Sequence, residues 1–358
     1  MILSLFSGAG GLDIGFEAAG FEVGLAFDKK RDSILSYNYN RLNAKRQSGH
    51  VADINELTLA DFDRLYGASF KPKGVIGGPP CQSFSQANRV SKHDDPRHLL
   101  PLRFAQIVEA LNRRNPIEFV MIENVTGLLQ ARHRHRLSAI EDTFRRIGFP
   151  LTKATLLATD FGTAQKRERL FFVGFNQTLY PEAFWSPPTP DAGEHREVTV
   201  RSKIADLPEP LHFDRTLNVH NIPYHPNHWC MSPKSPRFKE LGRLKEGNGS
   251  SRSFKVLHWD RPSFTVAYGN REVHIHPNCH RRLSVYEALL LQGFPKDYVL
   301  LGSMSSQFAQ VSEAVPPAMA QAVAISIEAQ LHALKLTHRA SLSDDFTVYE
   351  DRPVCMLT

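Results

Sequence analysis

Four side chains in this sequence combine types and settings suited to covalent chemistry: Cys81, Glu123, Arg167 and Arg169. Cys81 lies in GGPPCQSFS, residues 77 to 85, directly after the apolar pair Val75 and Ile76. Glycines let the backbone turn and admit a ligand closely, while Pro79 and Pro80 fix φ ahead of the thiol. A free cysteine is most often a small buried hydrophobe, but this frame presents the thiol instead. A nucleophilic thiol needs an electropositive setting and a group that handles protons. Glu123 ends an apolar run, and a carboxyl group in a closed crevice on the same sheet edge is a candidate for a raised pKa and acid work. Gln165, Arg167 and Arg169 alternate into the run Leu170 to Phe175. Period two places them on one face, with Lys166 and Glu168 turned away. Two arginines projecting together are costly unless they meet anions or ring acceptors, so this face reads as a site wall.

The elements that must position these groups can be read in order. Ile2 to Phe6 is a buried strand that runs into Ser7, Gly8, Ala9, Gly10 and Gly11, then a helix with Leu12, Phe16 and Ala19 on one face and Gly20 as its stop. Strand, glycine turn and helix open a nucleotide-binding βαβ unit. The GxGxxG fingerprint would need glycine where Asp13 stands, which disfavours a pyrophosphate cofactor and leaves a smaller one. The strand Glu22 to Phe27 ends at Asp28, where an acidic side chain suits ribose hydroxyls, and Asp53 follows the strand His50 to Ala52. Phe6, Gly8, Asp28 and Asp53 together read as an adenosyl pocket. The strand at Val75 and Ile76 delivers Cys81 at the carboxyl edge, where doubly wound sheets place ligands. The polar stretch Gln82 to Arg97 is expected to move. A helix with Phe104, Ile107, Val108 and Leu111 inward ends in Arg113 and Arg114, and the strand Phe119 to Ile122 follows. Arg132 to Arg136, RHRHR, begins a helix whose basic face is either solvated or in contact with phosphate. A strand at Leu151 to Ala158 precedes Leu170 to Phe175.

The second half reads differently. At Tyr180 the composition changes, and WSPPTPDAG at 185 to 193 is a Pro-rich hinge. Residues 194 to 280 are irregular, with strand candidates at Phe264 to Tyr268 and Glu272 to Ile275. Their Trp229, Trp259, Arg243, Lys245, Arg252, Lys255, Arg261 and Arg271 suit base-edge and phosphate contacts. Arg252 and Arg271 are taken as the base-edge pair. Arg282 to Gly293 has a helix pattern, and Ala318 to Leu336 is a longer helix expected to pack back on the first half. After His338 no period remains. The formal charge of +6 over 358 residues leans towards a polyanionic partner. Four scattered cysteines, Cys81, Cys230, Cys279 and Cys355, suggest neither disulfides nor zinc. Ile2 to Phe6 is too short for a signal segment, and no stretch approaches the roughly 20 apolar residues of a membrane span. A cytoplasmic, monomeric protein without a membrane partner is expected.

FSGAGG at 6 to 11, GGPPCQSFS at 77 to 85, ENV at 123 to 125, QKRER at 165 to 169 and RRLSVYEALLLQGFP at 281 to 295 together resemble the DNA (cytosine-5) methyltransferases of type II restriction-modification systems. The resemblance includes the order of the blocks. It implies an α/β fold, a Rossmann-like sheet that uses S-adenosyl-L-methionine, with a smaller irregular target-recognition domain. The expected division is 1–184 with 281–338 as the catalytic domain, 185–280 as the target-recognition domain and 339–358 as a tail. It further implies that Ser7, Gly10, Gly11, Ile54 and Pro79 join the cofactor pocket, and that Ser85 and Gln165 meet double-stranded DNA. Cys81 would add to a flipped cytosine, with Glu123, Arg167 and Arg169 around the ring, and a restriction endonuclease would be the functional partner. Two other readings are a tRNA methyltransferase on the same framework and a DNA-binding relic without turnover. The tRNA branch carries Cys-Phe-Thr where this chain has Ser263, Phe264 and Thr265. The chain departs from the family pattern at Ser312 and Glu313, where Gly-Asn is usual, at Tyr286, where arginine is common, and at Asp28, where glutamate is more frequent.

Overall fold

The computed structural model describes residues 1–42, 46–80, 99–190, 198–214, 216–217, 221–240, 242–249, 254–265 and 274–344. Strands and helices alternate through the first half: β1 (Ile2–Leu5), α1 (Gly11–Ala18), β2 (Val23–Asp28), α2 (Arg31–Tyr39), β3 (Gly49–Val51), α3 (Leu59–Tyr66), β4 (Gly74–Gly77), α4 (Leu100–Arg114), β5 (Phe119–Asn124), α5 (Arg134–Arg146), β6 (Thr152–Leu157) and β7 (Glu168–Phe175). The described residues form one seven-stranded sheet in the order β3-β2-β1-β4-β5-β7-β6. β1 to β5 are mutually parallel, whereas β7 enters antiparallel between β5 and β6. The return from β6 over residues 158–167 is shorter than the dozen or more residues a parallel crossover needs, and β7 pairs antiparallel.

The apolar runs are continuous because both sheet faces are covered. Successive residues feed two cores. Met121, Phe171 and Val173 pack with α1 and α9 through Leu12, Phe16, Met319 and Val323. Val120, Ile122 and Phe172 pack with α3, α4 and α5 through Phe62, Phe104 and Phe144. Glu123 and Arg169 belong by the same alternation to the α1 side.

Beyond the sheet come α6 (Val200–Ile204), the two-residue strands β8 (Leu211–His212) and β9 (Trp229–Cys230), α7 (Val285–Leu291), α8 (Met304–Glu313) and α9 (Pro317–Asp344). A third core joins Val200, Ile204, Trp229 and Leu257 to Leu289, Phe308 and Val311 of α7 and α8. No helix among the described residues is long and apolar enough to cross a membrane.

Several boundaries differ from expectation. α7 starts at Val285, not Arg282, because Ser284 caps it in a reciprocal box with Glu287 and the fully buried Arg281 forks onto the Glu287 carboxylate at 2.9 Å through both terminal nitrogens. α9 runs on to Asp344, past the His338 limit of its apolar pattern. In the second region only the isolated bridges at Ser263 and Ile275 appear among the described residues where strands were expected. Trp229 is buried, its indole donating to Gln307 at 3.1 Å, so it serves the third core and not a base edge.

Candidate active site

The carboxyl ends of the five parallel strands β1 to β5 lie along one sheet edge. After β1 the backbone leaves the sheet at Phe6, a non-glycine residue with φ of 59°, and Gly8 and Gly10 continue the left-handed turn into α1. The Gly8 N–H donates to Asp28 Oδ2 at 3.0 Å and the Lys30 N–H to Oδ1 at 2.7 Å, so the β2 carboxylate locks the glycine turn in place. Burial pushes the Asp28 carboxyl upward in pKa, opposed by these two N–H donors. Asp53, after β3, pairs with Lys29 at 2.8 Å and is held below the usual carboxylate range, chiefly by that contact. Ile54 is buried in the core under α3 and α4.

At the neighbouring strand ends, Glu123 at the carboxyl end of β5 receives the Arg169 Nε of β7 at 2.8 Å. Burial raises the Glu123 pKa, opposed by Arg169 and then Arg167. Arg167 is fully buried, and its Nη2 donates to the Ser312 carbonyl at 2.6 Å. Burial first, then the like charge of Arg169, drives its pKa well below the ordinary guanidinium value. The other side of Glu123 is set by Gly78: a Cβ there would lie 2.8 Å from Glu123 Oε2, so a side chain at this position would push the carboxylate aside. Gly78 and the buried Pro79 lead directly into Cys81. Cys81 and Ser85 themselves lie outside the described residues, as do the stretch 82–97, Arg252 and Arg271.

The expected face is formed: Arg167 and Arg169 point in while Lys166 and Glu168 are exposed. Gln165, expected to meet DNA, is instead fully buried and donates to Gln292 Oε1 at 2.8 Å. Gln292 in turn donates to the Ala314 carbonyl at 2.6 Å. Sequence reasoning missed this relay, although both glutamines lie inside blocks singled out for their resemblance. Ser263 and Thr265 lie beside the same segment, Lys166 N–H donating to the Ser263 carbonyl at 2.9 Å.

The crevice beside the glycine turn can be tested for an adenosyl group on its own atoms. Ser7 Oγ is buried with no hydrogen-bond partner among the described residues. A Cβ at Gly8 would meet nothing within 4 Å, so there is open space against the turn. The Asp28 carboxylate keeps acceptor capacity beyond its two backbone donors. A free hydroxyl, an open backbone and an acidic acceptor fit a nucleoside.

Comparison with known proteins agrees with this geometry. A family model described as C-5 cytosine-specific DNA methylase matches residues 1–329. The chain is 31% identical to the type II methyltransferase M.NmeDI of Neisseria meningitidis serogroup C, over 92% of this chain and 84% of that protein. It is 30% identical to M.MthTI of Methanothermobacter thermautotrophicus, over 93% and 98%. Among solved structures, a candidate DNA modification methyltransferase encoded within a prophage (E. coli) superposes with a TM-score of 0.73 at 22% identity, covering 92% of this chain and 99% of the other. A DNMT2 mutant of Spodoptera frugiperda gives 0.61 at 16% identity, covering 91% and 98%. Both share the Rossmann-like methyltransferase fold.

Proposed function

We propose, from the premise that this chain belongs to the C-5 cytosine-specific DNA methylases, that it methylates a flipped cytosine in a specific short duplex sequence through a covalent bond to Cys81. The chain is a DNA (cytosine-5-)-methyltransferase. The finer reading is carried by one observation: Glu123 is buried between Arg169 and the Gly78 backbone, three residues before Cys81.

The chemistry assigns a part to each residue. Carbon 5 of cytosine is a weak nucleophile, and the Cys81 thiolate, by adding to carbon 6, turns the ring into an enamine. Glu123, whose burial favours the protonated form, meets the charge that moves onto ring nitrogen 3, and Arg169 holds its carboxyl in place. Bound in the crevice, S-adenosyl-L-methionine would supply the electrophilic methyl group for carbon 5. Loss of the carbon 5 proton then expels Cys81 and restores the aromatic ring. Ser7, Gly8 and Asp28 would hold the adenosyl moiety. The target atom is out of reach inside a stacked duplex, so the base must leave the helix at a cost of a few kcal/mol.

Residues 185–280 are proposed to read the DNA sequence, and the type II relatives support a role in protecting DNA from a partner endonuclease. The test incubates the protein with S-adenosyl-L-methionine and duplex DNA carrying 5-fluorocytosine at the target, whose carbon 5, once methylated, has no proton to lose. A denaturation-resistant protein–DNA adduct that forms with the wild type and not with Cys81→Ser is expected. Turnover by Cys81→Ser on ordinary duplex would overturn the covalent route.

A further inference from the structure

Ser312 and Glu313, where the chain departs from the family pattern, lie at the seam between the two halves of the site. Arg167 holds the Ser312 carbonyl and Gln292 holds the Ala314 carbonyl, both at 2.6 Å. The same segment presses on the glycine turn: a Cβ at Gly11 would lie 2.5 Å from the Val315 carbonyl oxygen. Residues 312–315 are therefore a fixed wall, with the adenosyl crevice on one side and the Glu123 cluster on the other.

From this wall the Glu313 carboxylate reaches across to Lys30, whose Nζ contacts both of its oxygens at 2.5 Å. Lys30 is two residues beyond Asp28, and its own N–H is one of the donors that fix the Asp28 carboxylate. The charge of Glu313 is felt on both sides of the wall. Burial is the main cause of the raised Asp28 pKa, and Glu313 adds to it. Burial and Arg169 lower Arg167, and Glu313 opposes them. Both members of the pair are about half exposed, so neither is needed to fill a core.

We propose that the Lys30–Glu313 pair, by balancing its own two charges, keeps the crevice from discriminating by charge between the cationic methyl donor and its neutral demethylated product. This rests on the reading that the crevice binds S-adenosyl-L-methionine. The donor and S-adenosylhomocysteine differ by one methyl group and one positive charge at sulfur, so a nearby uncompensated charge separates them where shape barely can. With both partners present, ammonium and carboxylate largely cancel. Removing either leaves the other to act alone, and the two removals act in opposite directions. A pair that only ties the β2–α2 connection to α8 would, when broken from either end, weaken both ligands alike.

Titration calorimetry of the full chain with each ligand separately decides the matter. Glu313→Gln is expected to weaken S-adenosylmethionine relative to S-adenosylhomocysteine by about two- to fivefold, and Lys30→Met to shift the ratio the other way by a similar factor. The double variant should return close to the wild-type ratio. Shifts of the same sign in both single variants, or ratios that do not move, overturn the proposal while leaving the crevice assignment intact. Failure of the wild type to bind either ligand overturns the crevice assignment, and this proposal with it.

Discussion

Glu123 and Arg169 meet at 2.8 Å across two antiparallel strands, with Glu123 in register opposite Phe171. Arg169 is therefore a diagonal neighbour on the same sheet face, at a spacing a long side chain spans easily. The contact depends on the reversed direction of β7, which turns the approach to that strand, with Arg167 and Arg169, towards the carboxyl ends of β1, β2, β4 and β5. It gives a buried carboxyl group a fixed orientation without removing the burial that favours its proton.

Glu123→Gln should lower methyl transfer by about 10²–10³-fold, because an amide can donate to ring nitrogen 3 but cannot transfer a proton to it. Single-turnover transfer of labelled methyl groups to duplex DNA measures this, with cofactor affinity in the same variant as control. Wild-type turnover would remove Glu123 from the chemistry.

Arg169→Ala acts on the same pair from the other side. It leaves a carboxyl group at 12% side-chain exposure without its nearest cation, and breaking a buried pair in this way costs about 3 kcal/mol. Urea unfolding at neutral pH should show that loss, and Arg169→Lys should recover part of it. An unchanged midpoint for Arg169→Ala would mean that Glu123 is already neutral in the folded state.

Much of the site was legible because parallel strands buried on both faces leave unbroken apolar runs, and their carboxyl ends are marked by residues that cannot continue them: Phe6-Ser7-Gly8, Asp28, Gly77-Gly78 and Glu123-Asn124. The alternation of Gln165, Arg167 and Arg169 gave the right face but not the fate of each side chain, since period two does not say whether a face meets solvent or another segment. Gln165 and Trp229 went inward for that reason, each finding a glutamine from the C-terminal helical part. α8 leaves no clear signature in the sequence: Met-Ser-Ser-Gln-Phe-Ala-Gln-Val-Ser-Glu is too polar for a clear stripe, and its start depends on the Ser303 cap while Gln307 and Gln310 are buried through hydrogen bonds. The Lys30–Glu313 contact joins positions 283 apart, which no local pattern encodes.

Asp13, which breaks the dinucleotide fingerprint, offers a pH-dependent test of the fold. It is fully buried, accepts from Ser4 Oγ at 2.7 Å, and burial raises its pKa to about 6. A carboxyl group with a raised folded-state pKa contributes most below its unfolded value of 3.8, and that stability is lost as pH rises through about 6. Asp13→Asn has no proton to lose. The variant should therefore gain on the wild type by about 2 kcal/mol between pH 4.5 and 7.5. Denaturant titrations at the two pH values measure the change in the gap, and a constant gap would mean that Asp13 titrates as an ordinary carboxyl.

The joint between the second region and the C-terminal helices rests on Asn227. Its side chain is buried, donates to the Leu300 carbonyl and accepts from the Leu300 N–H, both at 2.8 Å, while its own carbonyl accepts from the Tyr286 N–H at 2.9 Å. This is a backbone pairing made by a side chain, and it holds the segment that leads into β9 against α7 and the loop before α8. Asn227→Ala would strand two buried backbone groups of Leu300 and should cost about 3 kcal/mol. Asn227→Asp keeps the acceptor but loses the donor and brings a charge into a buried site, so it should be at least as damaging. If residues 185–280 read the DNA, the sequence methylated should stay the same in both variants, because Asn227 is turned inward. Bisulfite sequencing of DNA from cells expressing each variant, alongside thermal unfolding of the purified protein, separates the two effects. A changed target sequence with unchanged stability would place Asn227 in recognition and not in the joint.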